Sequence, residues 1–272
     1  MSGMYQRSMI KPFRGATLDR SNLFASGLTT AFLFNEGTGN KVYGLSGNGE
    51  FGSFVNMDVT AWVGGNNGYV LSFDGNNDYI RVPYSNLFAF GATSSYSYAF
   101  SLSTLNTPIG SSDSVLENFD GAGPYSIASR ITTAGKLSCA IFDGTLSSVI
   151  NSDADITDGI WRNYVFTRDV SEDKIKLYVD GILDDEIEDT TTGSLDDGDD
   201  LLIGARENVG PGNFGNFEMG YLYIWNKVLS PIAVARLHTN TYQLCAQRTT
   251  PQISVSKRTA GSGSISIDEF ST

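Results

Sequence analysis

Nine short stretches, in which apolar and polar residues alternate, punctuate the chain from Leu28 onward: TTAFLFN, YVLSFDG, DYIRVPY, SYSYAFSL, KLSCAIFDG, WRNYVFTRD, KIKLYVDG, DLLIGA and YLYIWN. A period of two sends successive side chains to opposite faces of a strand. The stretches are rich in Val, Ile, Tyr and Phe, and Asn, Asp and Gly separate them at short intervals. That pattern predicts an all-β fold: two antiparallel sheets packed as a jelly-roll sandwich. FDGNND (73–78) and VDGI (179–182) read as hairpin turns, because Asp-Gly and Asn tolerate the positive φ such turns require. One short helix is expected near the C-terminus, where Ser230 and Pro231 precede IAVARLHTN as N-cap and first helical residue.

The ends of the chain differ from this middle. Residues 1–27 hold Arg7, Lys11, Arg14 and Arg20 against Asp19, and have little apolar periodicity. They read as a basic, extended N-terminal arm. Residues 28–244 are the sandwich. Residues 245–272 contain ISVSK and SISIDEF around AGSGS and read as a second, strand-forming arm. The net charge of -12 argues against nucleic acid as a partner, since phosphate binding needs Lys and Arg. No apolar run approaches the roughly 18 residues of a membrane span. The N-terminus lacks the apolar core of a secretory signal. The expectation is a protein made in the cytoplasm and neither secreted nor membrane-bound. Cys139 and Cys245 have no metal-site spacing and are expected as reduced thiols, one of them buried.

The glycine-rich stretch FNEGTGNKVYGLSGNGEFG (34–52) could by itself be a phosphate cradle, a metal loop or sheet corners. The order of motifs decides. That stretch is followed by YVLSFDGNNDYIRVP, DGIWRNYVFTRD, KIKLYVDGILDD, DLLIGAR and YIWNKVLSPIAVARL. Together, over about residues 28–240, they resemble the laminin-G-like (concanavalin A-like) jelly-roll superfamily. The resemblance implies that residues 34–52 form a strand, turn and bulge opening the sandwich. The lead-in PFRGATLDRSNLFASGL and the segment MGYLYIWNKVLS are most similar to single-domain members found in tailed-phage virions. In MGYLYIWNKVLS, Gly220 and Tyr221 stand where many secreted relatives have an Asp-Glu pair.

Glucanases belong to the same superfamily, so paired carboxylates need weighing. DDEIEDT would place Asp184, Glu186 and Glu188 on one strand face, but as a charged outer strand without aromatic neighbours. Asp268 and Glu269 are consecutive and so face opposite ways. His238, the single histidine, has no second ligand or nucleophile beside it. No catalytic residue is assigned, and the chain is expected not to be an enzyme. Structural calcium is the one cofactor to consider, because Asp196, Asp197, Asp199 and Asp200 crowd one loop, with Asp74 and Asp78 in another. Gly220 removes the acid the family would supply, so no cofactor and no metal ligands are assigned. For glycans, Trp62, Tyr84 and Tyr125 are candidate aromatic contacts, whereas Trp161 and Trp225 are expected in the core, on inward strand faces.

The resemblance therefore implies a non-enzymatic phage virion protein, foremost a capsid decoration protein on the shell surface. Its expected partners are the major capsid protein and neighbouring copies, clamped through the arms in a homo-oligomer, a trimer in preference to a dimer. The alternative is a carbohydrate- or receptor-binding module of a tail fibre or adhesin, with glycans as partners; a glycoside hydrolase comes third.

Overall fold

All nine alternating stretches lie in strands of the computed structural model, which describes residues 11–246 apart from residues 13, 66, 67, 120, 122, 208 and 209. The strands of the N-terminal half are β1 (Leu28–Phe32), β2 (Lys41–Tyr43), β3 (Phe51–Val55), β4 (Trp62–Gly65), β5 (Gly68–Asp74), β6 (Tyr79–Val82), β7 (Tyr96–Ser103), β8 (Asp113–Glu117) and β9 (Tyr125–Ile131). Those of the C-terminal half are β10 (Leu137–Phe142), β11 (Ser147–Asn151), β12 (Arg162–Asp169), β13 (Lys174–Val179), β14 (Ile182–Glu188), β15 (Leu201–Ile203), β16 (Arg206–Glu207), β17 (Pro211–Gly212) and β18 (Asn216–Trp225). Helix α1 (Pro231–Thr239) follows, with the Ser230 hydroxyl accepting from the Ala233 amide as N-cap.

Two antiparallel sheets of eight strands face each other. One runs β14-β13-β12-β7-β18-β5-β4, with β1 also paired to β18; the other runs β11-β10-β9-β8-β15-β6-β3-β2. The alternation fixes which side chains fill the space between them. In β7, Tyr96, Tyr98, Phe100 and Leu102 point inward to meet Tyr164 and Phe166 of β12, with Tyr98 and Phe166 stacked at 4.9 Å. Each such side chain contributes about 1.5–3 kcal/mol on burial. The β13–β14 hairpin turns on Asp180 and Gly181, at φ 50° and 83°, the two positive values of a twist-matched two-residue turn.

A second apolar cluster lies outside the first sheet. There Ala99, Val165, Tyr178, Tyr221, Tyr223 and Trp225 point outward and are roofed by Val234 and Leu237 of α1, by Leu244 and Cys245, and by Phe24. This corrects the expected arm. Residues 14–27 fold onto the chain's own sandwich: Asp19 donates its amide to Leu244 O at 2.8 Å, and Leu18 bridges Cys245. Lys11 is buried, and its Nζ donates to Phe34 O at 3.0 Å and to Tyr69 O. The physical reason is that the apolar outer face of β18 must be covered, and Phe24 and Leu18 are the nearest chain to cover it. Residues 1–10, and the C-terminal arm beyond Ala246 with Asp268 and Glu269, lie outside the described residues.

Cys139 and Cys245 are both buried and unpaired, and burial pushes their thiols up to about 11 and about 12. Among the described residues no helix is long and apolar enough to cross a membrane.

Candidate functional site

Trp161 is where the structure departs most from the sequence expectation. Its side chain is 41% exposed. The cause is strand parity. Tyr164 and Phe166 take the inward positions of β12, so Trp161, Asn163 and Val165 fall on the outward side. Val165 lies beneath the roof; Trp161 lies beyond its edge, where the outer face of the first sheet is open. Trp225 also points outward, but the roof covers it completely, and its Nε1 donates to Phe24 O at 2.8 Å.

The ground under Trp161 is cut by a glycine. Gly220 sits in a bulge of β18 between Met219 and Tyr221. A methyl group there would lie 2.3 Å from Ser101 Oγ and 3.5 Å from Trp161 Cζ3. The clash is with Ser101; the indole edge lies over the glycine at ordinary contact distance. The backbone around Trp161 is pinned: the Arg162 guanidinium grips Asp158 in two bonds of 2.6 and 2.7 Å, and Gly159 exchanges bonds with Thr104 O and Ser103 Oγ. That grip holds the Asp158 carboxyl well below the usual carboxylate range.

On the same outward row, Asn163 gathers a polar wall. Tyr221 OH donates to its Oδ1 at 3.0 Å, its amide donates to Asp180 Oδ1 at 2.8 Å, and its Nδ2 lies 3.3 Å from His238 Nδ1. The result is an exposed indole beside an amide, an imidazole and a carboxylate on rigid elements. Such a surface can stack the apolar face of a sugar ring while bonding its hydroxyls. Leu105, Ile109 and Ile160, on the loops beside Trp161, are exposed as well.

The residues singled out from sequence are dispersed. Trp62 is core: it packs on Phe54 at 5.5 Å and donates Nε1 to Gly39 O. Tyr84 is 38% exposed, but its hydroxyl is committed to Asp196 at 3.0 Å. Tyr125 lies half-buried between Phe119 and Phe142. The three acids of β14 do not share one face. A bulge opposite Leu177 and Tyr178 leaves Asp184 out of register, where it accepts the Asp153 amide, while Glu186 is tied to Lys174 and Lys176. The Lys176 ammonium holds the Glu186 carboxyl low, the opposite of what a general acid needs.

The aspartates considered for calcium do local structural work. Asp200 takes Arg81 and the Tyr84 amide, and Asp196 takes the Tyr84 hydroxyl, which ties their loop to the end of β6. Among the described residues no three His, Cys, Asp or Glu side chains are grouped to hold a metal ion. Gly220, in its bulge under Trp161, has no side chain to offer one.

Residues 74–235 match the Laminin_G_3 family, the concanavalin A-like lectin/glucanases superfamily, and the chain belongs to it. No curated protein matches by sequence. Among solved structures, the binding domain of Paraclostridial Mosquitocidal Protein 1 is similar with a TM-score of 0.64 at 19% identity, over 80% of this chain and 53% of that one. The botulinum neurotoxin serotype D binding domain is similar with a TM-score of 0.62 at 12% identity, over 79% and 51% of the two chains. A botulinum neurotoxin type C structure, described by its interaction with two ganglioside molecules, gives 0.59 at 15% identity, over 79% and 51%. The chain thus spans about half the length of each, and the likeness is one of fold.

Proposed function

We propose that this chain is a non-catalytic carbohydrate-binding module whose glycan contacts centre on Trp161. The observation that carries this reading is the exposed indole resting over Gly220, beside the Asn163–His238–Asp180 wall. Sheet-borne aromatic platforms hold sugars by stacking, and neighbouring polar groups select the hydroxyl pattern. The similar solved structures are binding domains, which supports a binding role over hydrolysis. Asp158 and Glu186, each gripped by a cation, are poorly suited to proton transfer. A glycan array with the wild-type chain and Trp161→Ala tests the proposal. Retention of a defined glycan by the wild type, lost in the variant, supports it; retention unaffected by Trp161→Ala, or none at all, overturns it.

Carriage on a phage particle, as a capsid decoration protein bound to the major capsid protein and to copies of itself, is a separate proposal about location. It rests on the resemblance of the lead-in PFRGATLDRSNLFASGL. The arm clamp has less material than expected, because Leu18 and Phe24 pack within this chain's own second cluster. Copy number in purified particles, measured by mass spectrometry, tests that location.

A further inference from the structure

On the opposite sheet, an outward carboxylate is wholly buried. Glu117, at the end of β8, is 0% exposed although its side chain leaves the sheet away from the core between the two sheets. Its Oε1 accepts Arg130 Nε at 2.6 Å, with a second bond from the same guanidinium; its Oε2 accepts Ser114 Oγ at 2.9 Å. Arg206 approaches Oε2 only to 3.8 Å, and its Nε is buried with no hydrogen-bond partner. The Arg206 guanidinium instead lies 4.5 Å over the Phe119 ring, and Arg130 lies 5.8 Å over Tyr125. Phe119 and Tyr125 meet edge to face at 5.2 Å. Two arginines therefore bracket an aromatic pair, anchored from below by one carboxylate, and each keeps about a quarter of its side chain open to solvent.

We propose that Arg206 and Arg130 form an anion site for a carboxylate-bearing sugar, such as a uronate unit, separate from the Trp161 surface. A guanidinium presents paired N–H groups that match a planar carboxylate. Arg206 Nε is buried toward Glu117, but among the described residues no hydrogen bond engages the Nη groups at its partly exposed end. Charge selects a monoanion: two arginines against Glu117 leave one unit of positive charge. Further along the sheet, Arg81 is already outnumbered by Asp200 and Glu207, at 2.9 and 2.7 Å, so a dianionic phosphate meets repulsion there. The partly exposed Tyr125 ring offers an apolar edge for the sugar ring, whereas Phe119 is buried with its face under the Arg206 guanidinium.

The test is titration of the full chain with sodium glucuronate, with glucose and sodium sulfate as controls, followed by calorimetry or amide NMR. Saturable glucuronate binding is expected, weakened at least about tenfold in Arg206→Gln and unchanged in Trp161→Ala. Arg206→Gln keeps the Glu117–Arg130 pair, and its circular dichroism and Tm confirm that it folds. Absence of saturable binding by the folded wild type overturns the proposal, as does equal binding of sulfate or glucose, or binding indifferent to Arg206→Gln. Loss in Trp161→Ala as well would place the acid sugar at the other surface and also overturn it.

Discussion

The two outward faces of the sandwich handle the same problem in different ways. Outside the first sheet, aromatic residues of β18 are buried under a roof made of α1, residues 241–246 and the segment ending at Phe24. Outside the second sheet no helix of the described residues is packed, and a small apolar cluster around Tyr79 and Leu202 is joined by arginine–carboxylate groups over the strands: Arg130 and Arg206 on Glu117, Arg81 on Asp200 and Glu207. A roofed face is committed to stability. A face left open, or the strip of the first sheet beyond the roof where Trp161 stands, is available for binding. Two tryptophans on one outward side, Trp225 under the roof and Trp161 beyond it, therefore meet opposite surroundings.

The comparison breaks most easily at Trp225. Trp225→Ala removes a fully buried ring and its bond to Phe24 O, and should cost about 3–5 kcal/mol in denaturant unfolding. A loss below about 1 kcal/mol would mean that the roof adds little. On the other face, Glu117→Leu strips the arginines of their counter-ion. Fully buried pairs lose about 3–5 kcal/mol on such a change. Because Arg130 and Arg206 are partly solvated, the low end, about 3 kcal/mol, is expected in the same melt. Gly220→Ala presses a methyl group on Ser101 Oγ and should cost about 1–3 kcal/mol, whereas Trp161 Cζ3, 3.5 Å from that methyl, stays in ordinary contact and glycan retention should change little.

A smaller effect concerns the strap that leads into the roof. Burial pulls the Lys11 ammonium down to about 7, with Glu36 opposing the shift. The unfolded chain holds that proton to about 10.5. Between these values the unfolded state binds more protons, so this group makes the fold more stable as pH rises from 7 toward 10, with no contribution to the slope well below 7. Tm measured at pH 7 and pH 9.5 should rise by a few degrees in the wild type relative to Lys11→Met. Parallel curves for the two proteins would show that Lys11 is not titrating in place.

Much of this was legible in the residues. The alternating runs announced the strands because large aromatic side chains at every second position leave few other arrangements, as β7 illustrates. Ser230-Pro231 announced α1 because both residues favour a helix start. What pattern alone did not convey was which side of a sheet each residue takes. The expectation of an inward Trp161 in WRNYVF runs against the spacing, since Tyr164 and Phe166 stand an even number of positions from each other and an odd number from Trp161. Strands β8 and β9 lack a clean alternation, because a bulge in β8 turns both Val115 and Leu116 inward and β9 sets the polar Ser129 inward and the apolar Ala128 outward, which hides the Glu117–Arg130–Arg206 group. Pairing across 13 and 89 positions depends on sheet order, which no local pattern carries.

The roof was unforeseen for a related reason. Residues 1–27 looked like an arm because their apolar residues are scattered, and only the exposed aromatic side of β18 gives Leu18 and Phe24 a place to go.

The central claim, that Trp161 is a glycan platform and not a core residue, is met most directly by acrylamide quenching of tryptophan emission. Trp62 and Trp225 are buried, so the quenchable fraction should belong to Trp161. Saturation with the oligosaccharide that the array retains most strongly should shield that fraction, and Trp161→Ala should abolish it while Tm stays within a few degrees of the wild type. Quenching that is unchanged by the bound oligosaccharide would contradict the account, because a sugar stacked on the indole must exclude the quencher from it.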